Sequence, residues 1–150
     1  MWRISSARRP AFDGMGARLV GGRWNHPGTA IVYASATLAL AALEVLAGVD
    51  DEDAPKDFVA ISADIPETVR LTHLRAADLP ANWRDYPPPP SLRDLGTRWA
   101  RAAETAVLAV PSAIVPKELN YLLNPRHPAF GRIRIGKAEA FSFDPRLWKR

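Results

Sequence analysis

The sequence predicts an α+β fold. Three observations point there. Short apolar stretches bounded by turn formers outnumber segments with helical spacing. Strands and helices do not alternate regularly enough for a doubly wound parallel sheet. Near the C-terminal end, two alternating stretches flank a Gly-Lys pair and predict a β-hairpin.

Taken in order, WRIS at 2–5 predicts a first strand. Residues 5–18 hold Pro10, Gly14 and Gly16 and read as a loop. AIVYA (30–34) is a continuous apolar run with β-branched residues, so it predicts a buried strand. Ser35 or Thr37 then caps a helix running to about Ala47, with Gly48 as its stop. The acidic stretch DDEDAPKD (50–57) reads as a solvated turn. FVAISADI (58–65) predicts a strand that Pro66 ends, and VRLTHL (69–74) predicts another.

The four prolines 87–90 are extended and polyproline-like, but globular sequence flanks them, so they read as a surface loop. SLRDLGTRWARAAE (91–104) carries helical spacing through Leu92, Leu95, Trp99 and Ala103. AVLAVPSAIV (106–115) reads as two short apolar strands with Pro111 and Ser112 at the joint. NYLLNPRHPAF (120–130) reads as a turn-rich loop. GRIRI (131–135) and AEAFSF (138–143) form the hairpin candidate. No internal repeat is present.

At 150 residues the chain suits one domain, 1–150. A 47% hydrophobic content can fill a core, which argues against disorder. Cysteine is absent, which excludes disulfides, thiolate metal sites and a cysteine nucleophile and fits a reducing cytosol. The start, MWRISSARRPAF, lacks the apolar core of a secretory signal. The apolar run Leu38–Val49 is broken by Glu44 and falls short of the ~20 residues of a membrane helix. These features predict a soluble, cytoplasmic protein.

Net charge is +4, and sixteen of the twenty basic residues are arginine. Arginine forks onto phosphates. Genomic composition bias explains the excess as well, and its scatter along the chain makes it weak evidence for a nucleic-acid surface.

Glu44 is the most informative residue. Between Ser35 and Val49 no other side chain ionises. Its helical neighbours, Leu40, Ala41, Ala47 and Gly48, include no base to pair with it. Glutamate is rarely buried unpaired. Two readings stand: a carboxylate on an exposed helix edge, with Leu38, Ala41, Ala42 and Val45 forming the core face, or a carboxylate with a chemical role.

Arg23 lies in GGRWN, where glycines let the backbone approach a ligand and the guanidinium can bind phosphate or carboxylate. It is equally readable as a structural arginine in a turn. The segment is neither a Walker loop nor GxGxxG. Tyr33 ends a strand and can stack on a ring and donate a hydrogen bond, or simply fill the core. Ser112 either serves a site or satisfies a turn, and no GxSxG motif surrounds it. His26, His73 and His127 have no metal-ligand spacing, so no metal is expected. Asn120, Asn124 and His127 either line a pocket or form turns.

Taken together, WRIS, FDGMGARLVGGRWN, AIVYAS, LALAALE, IPETV, LPANW, LGTRW, VLAVPSAIVP, NYLLNPRHPAF and FSFDPRL occur in an order that resembles the RES domain family. These are the toxin halves of bacterial RES–Xre toxin–antitoxin pairs, and the resemblance runs nearly end to end. The family's Arg, Glu and Ser correspond to Arg23, Glu44 and Ser112, and Tyr33 matches a family active-site position. Asn120 and Asn124 match motif positions, and Arg3 matches a recurrent arginine that a structural role also explains.

The resemblance implies an ADP-ribosyltransferase-like split β-core with flanking helices. It implies cleavage of the nicotinamide–ribose bond of NAD⁺, by hydrolysis or phosphorolysis, or else transfer of ADP-ribose to a protein. It places Arg23, Tyr33, Ser35, Asn120 and Asn124 around NAD⁺ and gives Glu44, Arg23, Tyr33 and Ser112 catalytic roles. It further implies an Xre-family antitoxin as partner, in a hetero-oligomer, with no direct nucleic-acid contact by this chain. The reading from another class is a non-catalytic basic module for nucleic acid. Salt-dependent DNA binding without loss of NAD⁺ would distinguish it.

Overall fold

The computed structural model describes residues 1–48 and 57–148, with Trp148 described by its backbone alone. All of the predicted acidic turn except Asp57 lies outside the described residues. Seven strands form one sheet: β1 (Trp2–Ser6), β2 (Val32–Ser35), β3 (Phe58–Asp64), β4 (Leu71–His73), β5 (Val107–Pro111), β6 (Leu119–Leu123) and β7 (Arg134–Phe141). Among the described residues there are three α-helices: α1 (Met15–Val20), α2 (Leu38–Gly48) and α3 (Pro90–Ala102). The strand order is β4-β5-β6-β2-β1-β3-β7, antiparallel throughout except for the parallel β4–β5 pair. This is the expected α+β class.

The sheet is split near its middle. β1 and β2 pair through a single position, Trp2 with Ser35, whereas β1–β3 and β2–β6 pair along most of their lengths. Two half-sheets therefore meet at one point and part beyond it. Arg3 spans the gap, its Nη1 donating to the Tyr33 carbonyl at 3.2 Å.

Alternation along the strands divides the core. Val32, Ala34, Ile61, Ala63, Val107 and Leu123 pack on one face under Phe12, Val69 and Ile133. On the opposite face α3 covers one half, with Leu92 and Ala100 packed on Ile31, Leu108, Val110 and Leu122. α2 covers the other half, with Ala41 against Ile4, Phe58 and Ala60. The Trp2–Ser35 pairing puts Ile4 and Tyr33 on the same face, so both long helices lie on one face of the sheet, one over each half.

Several local expectations need correction. The predicted loop 5–18 contains α1, a helix with no buried residue, framed by left-handed Gly14 and Gly21. It has no apolar face to advertise it, only residues of good helix propensity such as Met15, Ala17 and Leu19. Residues 106–115 give one strand. After Pro111 the Ser112 Oγ accepts from the Ile114 and Val115 amides and bends the chain into the β5–β6 connection.

The segment 120–123, read as loop, belongs to β6, because Leu122 and Leu123 are fully buried between neighbouring strands. The C-terminal hairpin is absent. Residues 128–132 form a 3₁₀ turn, and Gly136-Lys137 lies within β7, where the register against β3 shifts between Ile61 and Ala63. The Gly-Lys pair thus serves a bulge and not a turn.

Candidate active site

The residues proposed for chemistry are brought together by the split sheet and the helix above it. α2 starts where Thr37 Oγ1 accepts from the Leu40 amide at 3.1 Å, an N-cap. The same hydroxyl donates to Glu118, and the Ala36 amide donates to the Leu119 carbonyl. These bonds fix the start of the helix on the beginning of β6. About two turns later the helix delivers Glu44 over the end of the β5–β6 hairpin.

Glu44 is half-buried. Its Oε1 accepts from Ser112 Oγ at 2.8 Å and from Asn120 Nδ2 at 2.6 Å. No donor among the described residues reaches its Oε2. Ser35 pairs across the strands with Asn120, and its Oγ donates to Asn120 Oδ1 at 2.8 Å. The amide is thereby oriented with its NH₂ toward Glu44. A polar relay, Ser35 to Asn120 to Glu44 with Ser112 from the other side, holds the carboxylate in one rotamer. Glu44 is therefore neither a bare exposed edge nor an unpartnered buried charge.

The Ser112 hydroxyl is saturated. It donates to Glu44 and accepts two amide hydrogens, and the residue is fully buried. It orients Glu44 and is not available as a nucleophile.

Arg23 enters from the glycine arm. Its Nη1 donates to the carbonyls of Trp83 at 2.9 Å and Asp85 at 3.1 Å. Partial burial lowers its pKa from the ordinary arginine value. Glu44 most strongly, then Tyr33, Asp85 and Tyr86, oppose that shift. The arm itself is anchored by Tyr33, whose hydroxyl donates to Asn25 Oδ1 at 2.7 Å and accepts from the Trp24 amide at 3.0 Å. Burial pushes this hydroxyl's pKa well above the usual tyrosine range. Asn25, fully buried, donates to the carbonyls of Ala17, His26 and Thr29 and closes the turn. A Cβ on Gly22 would lie 2.7 Å from the Tyr33 hydroxyl oxygen, so the arm needs glycine there.

Two cavities meet at Glu44. One, about 190 Å³, opens at the sheet split and is lined by Trp2, Arg3, Tyr33, Ser35, Glu44 and Asn120 among others. The other, about 350 Å³, is lined by Arg23, Glu44, Arg84, Tyr86, Ala113 and Ile114 with the end of α2. Glu44 forms part of both walls. In the first, Arg3 is withdrawn from solvent, its pKa lowered by burial and partly restored by Asp13, and its Nε is buried without a hydrogen-bond partner among the described residues.

Asn124 sits elsewhere. Its Nδ2 donates to the Ala100 carbonyl at the end of α3 and its Oδ1 accepts from the Arg126 amide. It borders a third cavity of about 380 Å³, lined by Arg101 and Arg126 and, among the described residues, by no carboxylate. The three histidines do not contact Glu44: His26 pairs with Asp94, His127 caps the 3₁₀ turn at 128–132, and His73 lies on the edge strand β4. Among the described residues no group of three or more His, Asp or Glu could hold a metal ion, and no helix is long and apolar enough to cross a membrane.

Sequence reasoning overlooked Arg84 and Tyr86. Both lie in a loop without periodicity, and only the fold reveals that they face Glu44. Asn25 was also passed over, although its place inside GGRWN gave a signal: asparagine satisfies turn backbones.

Known proteins match along the whole chain. The RES domain model matches residues 1–144. The chain is 39% identical over 150 residues to a protein named Toxin Res from Yersinia enterocolitica, covering 98% of each. It is 36% identical over 155 residues to a Sphingobium protein named Prs ADP-ribosylating toxin, covering 99% of this chain and 96% of that one. In structure it resembles a chain of the M. tuberculosis MbcT–MbcA toxin–antitoxin complex, with a TM-score of 0.76 at 18% identity, covering 99% of this chain and 85% of that one. That likeness shows a shared α+β fold. With a family model spanning nearly every residue and relatives of this similarity, the chain belongs to the RES domain family.

Proposed function

We propose that this protein is the toxin of a toxin–antitoxin pair and that it cleaves the nicotinamide–ribose bond of NAD⁺. The observation that carries the reading is Glu44: a carboxylate oriented through Oε1 by Ser112 and Asn120, with no donor to Oε2 among the described residues and a cavity on each side. Breaking the C1′–N bond sends its electrons to the pyridine nitrogen, and nicotinamide leaves neutral. Positive charge develops on the ribose. A fixed carboxylate in a partly dry cleft stabilises that charge without reorganising. Water then adds at C1′, giving ADP-ribose and a proton.

In this reading Arg23 holds phosphate, the Tyr33 ring borders the ribose–nicotinamide end, and Tyr33's hydroxyl keeps the arm in place. Ser35 and Asn120 are positioning residues for Glu44. Asn124, first assigned to the NAD⁺ site, supports the end of α3 instead. The family match, and a relative named for ADP-ribosylation, support NAD⁺ as the substrate. They favour an enzyme over a basic nucleic-acid module. The resemblance to a chain from a toxin–antitoxin complex supports an antitoxin partner, and the sequence resemblance suggests one of the Xre family, acting in the cytoplasm.

The same relative's name favours a second reading, in which a protein side chain replaces water as acceptor. NAD⁺ labelled in the adenylate half separates the two. Free labelled ADP-ribose supports hydrolysis, a phosphorylated product formed only with added phosphate supports phosphorolysis, and label on protein supports transfer. Intact NAD⁺ after prolonged incubation with folded protein would reject all three.

A further inference from the structure

The segment Trp83–Tyr86 is bound to the site in two directions. Its Trp83 and Asp85 carbonyls hold Arg23. The side chain between them, Arg84, reaches the opposite wall, where its Nε donates to the Ala113 carbonyl at 3.0 Å. Ala113 directly follows Ser112, the residue that orients Glu44. Arg84 is therefore tethered by one nitrogen to the turn that carries the carboxylate's partner. Its two terminal nitrogens take no partner among the described residues, and no carboxylate forms an ion pair with it there.

Arg23 has the mirror-image arrangement. One terminal nitrogen is spent on two carbonyls, and the remaining donors take no partner among the described residues. Both guanidinium groups line the 350 Å³ cavity beside Glu44. Asp85 acts on Arg23 electrostatically but does not line that cavity. Two half-anchored arginines lining one cavity are suited to two linked anionic groups, since each can present a planar fork.

We propose that Arg84 and Arg23 together form a diphosphate subsite, with Arg84 as a second phosphate-binding residue beside the carboxylate. The ligand class is a nucleoside diphosphate or its ester, and the exposed Tyr86 ring at the same cavity is placed to lie against the adjoining sugar or base. This rests on the NAD⁺ reading for its biological ligand, but the subsite is testable without turnover.

The experiment measures binding of ADP and of ADP-ribose by titration calorimetry to wild-type protein, Arg84→Ala and Arg84→Lys. Cleavage of nicotinamide riboside, which carries the same scissile bond and no phosphate, is followed in parallel. Loss of one charge-assisted contact should weaken ADP binding roughly tenfold or more in Arg84→Ala. Arg84→Lys should recover part of it, and riboside cleavage should stay within about twofold, below the ~1.4 kcal/mol that a tenfold change represents.

Unchanged ADP affinity in Arg84→Ala overturns the subsite. So does an equal loss for riboside, which would mark Arg84 as a brace for the Ser112 turn. Failure of wild-type protein to bind either nucleotide at millimolar concentration overturns it as well. Wild-type protein that binds ADP yet leaves NAD⁺ and riboside intact would defeat the proposed reaction while preserving the subsite. In that case a tenfold loss of ADP affinity in Arg84→Ala, unmatched by any fall in melting temperature, supports it.

Discussion

At the scale of single residues, the site depends on how polar groups are satisfied. Ser112 has one hydroxyl and three partners. Replacing it with alanine removes a hydrogen bond to a carboxylate and strands two amides in a dry turn. Each buried unsatisfied group costs about 1–3 kcal/mol, and a bond to a charged group contributes about 1.5–3 kcal/mol. Ser112→Ala should therefore lower the melting temperature and also reduce kcat roughly tenfold to a hundredfold. A serine acting as nucleophile would instead lose all turnover and would yield a trapped adduct in mass spectra of the wild-type enzyme. Steady-state kinetics and thermal melts on the same preparation check this.

At the scale of elements, the arm 21–25 is held against α3. A Cβ on Gly96 of α3 would run into the Trp24 carbonyl oxygen. The Thr97 hydroxyl next to it accepts from the His26 amide at 3.0 Å, and Trp24 is buried against Leu92. α3 therefore fixes the height at which Arg23 enters the cavity. Gly96→Ala should cost about 1–3 kcal/mol of stability through overpacking. Because the arm carries Arg23, the Michaelis constant for NAD⁺ should also rise by more than kcat falls. Denaturant unfolding with paired kinetics measures both. A neutral change in stability would mean that the arm yields freely and is not a rigid mount.

The elements also show what sequence can and cannot convey. The strand before α2 and the helix's cap were readable, because apolar runs and caps are local signals. β6 was not: Asn120 within it and Asn124 and two prolines just after it give the stretch the look of a loop, and its strand character comes from burial between β5 and β2. The Gly-Lys pair in β7 carries the chemistry of a turn, yet pairing with β3 makes it a bulge. α1 hides for the opposite reason, having no buried face.

At the scale of the whole molecule, the split between β1 and β2 opens one cavity, and α2 closes over it with Glu44 at the seam. Residues from positions 23, 33, 35, 84, 112 and 120 converge there. Glu44 was legible as an oddity, a lone carboxylate in an apolar helix. Arg23 stood out through its glycines. The link between Glu44 and Ser112 was not legible locally, because it depends on α2 lying across the β5–β6 hairpin. It came from the order of family motifs. Arg84 had neither a local signal nor a motif role. The same limits explain Asn124: its motif placed it near Asn120 in sequence, while the end of β6 carries it to α3.

The central claim is that this fold exists to hold one carboxylate beside the ribose of NAD⁺. The most direct measurement is NAD⁺ consumption by Glu44→Gln beside wild-type protein, with products identified by mass and folding checked by circular dichroism. Glutamine keeps the shape and an oxygen that can accept from Ser112 and Asn120, but it removes the negative charge. The account predicts a folded variant whose cleavage of NAD⁺ falls by several orders of magnitude, each tenfold corresponding to about 1.4 kcal/mol of transition-state stabilisation. Near wild-type consumption by folded Glu44→Gln would contradict it.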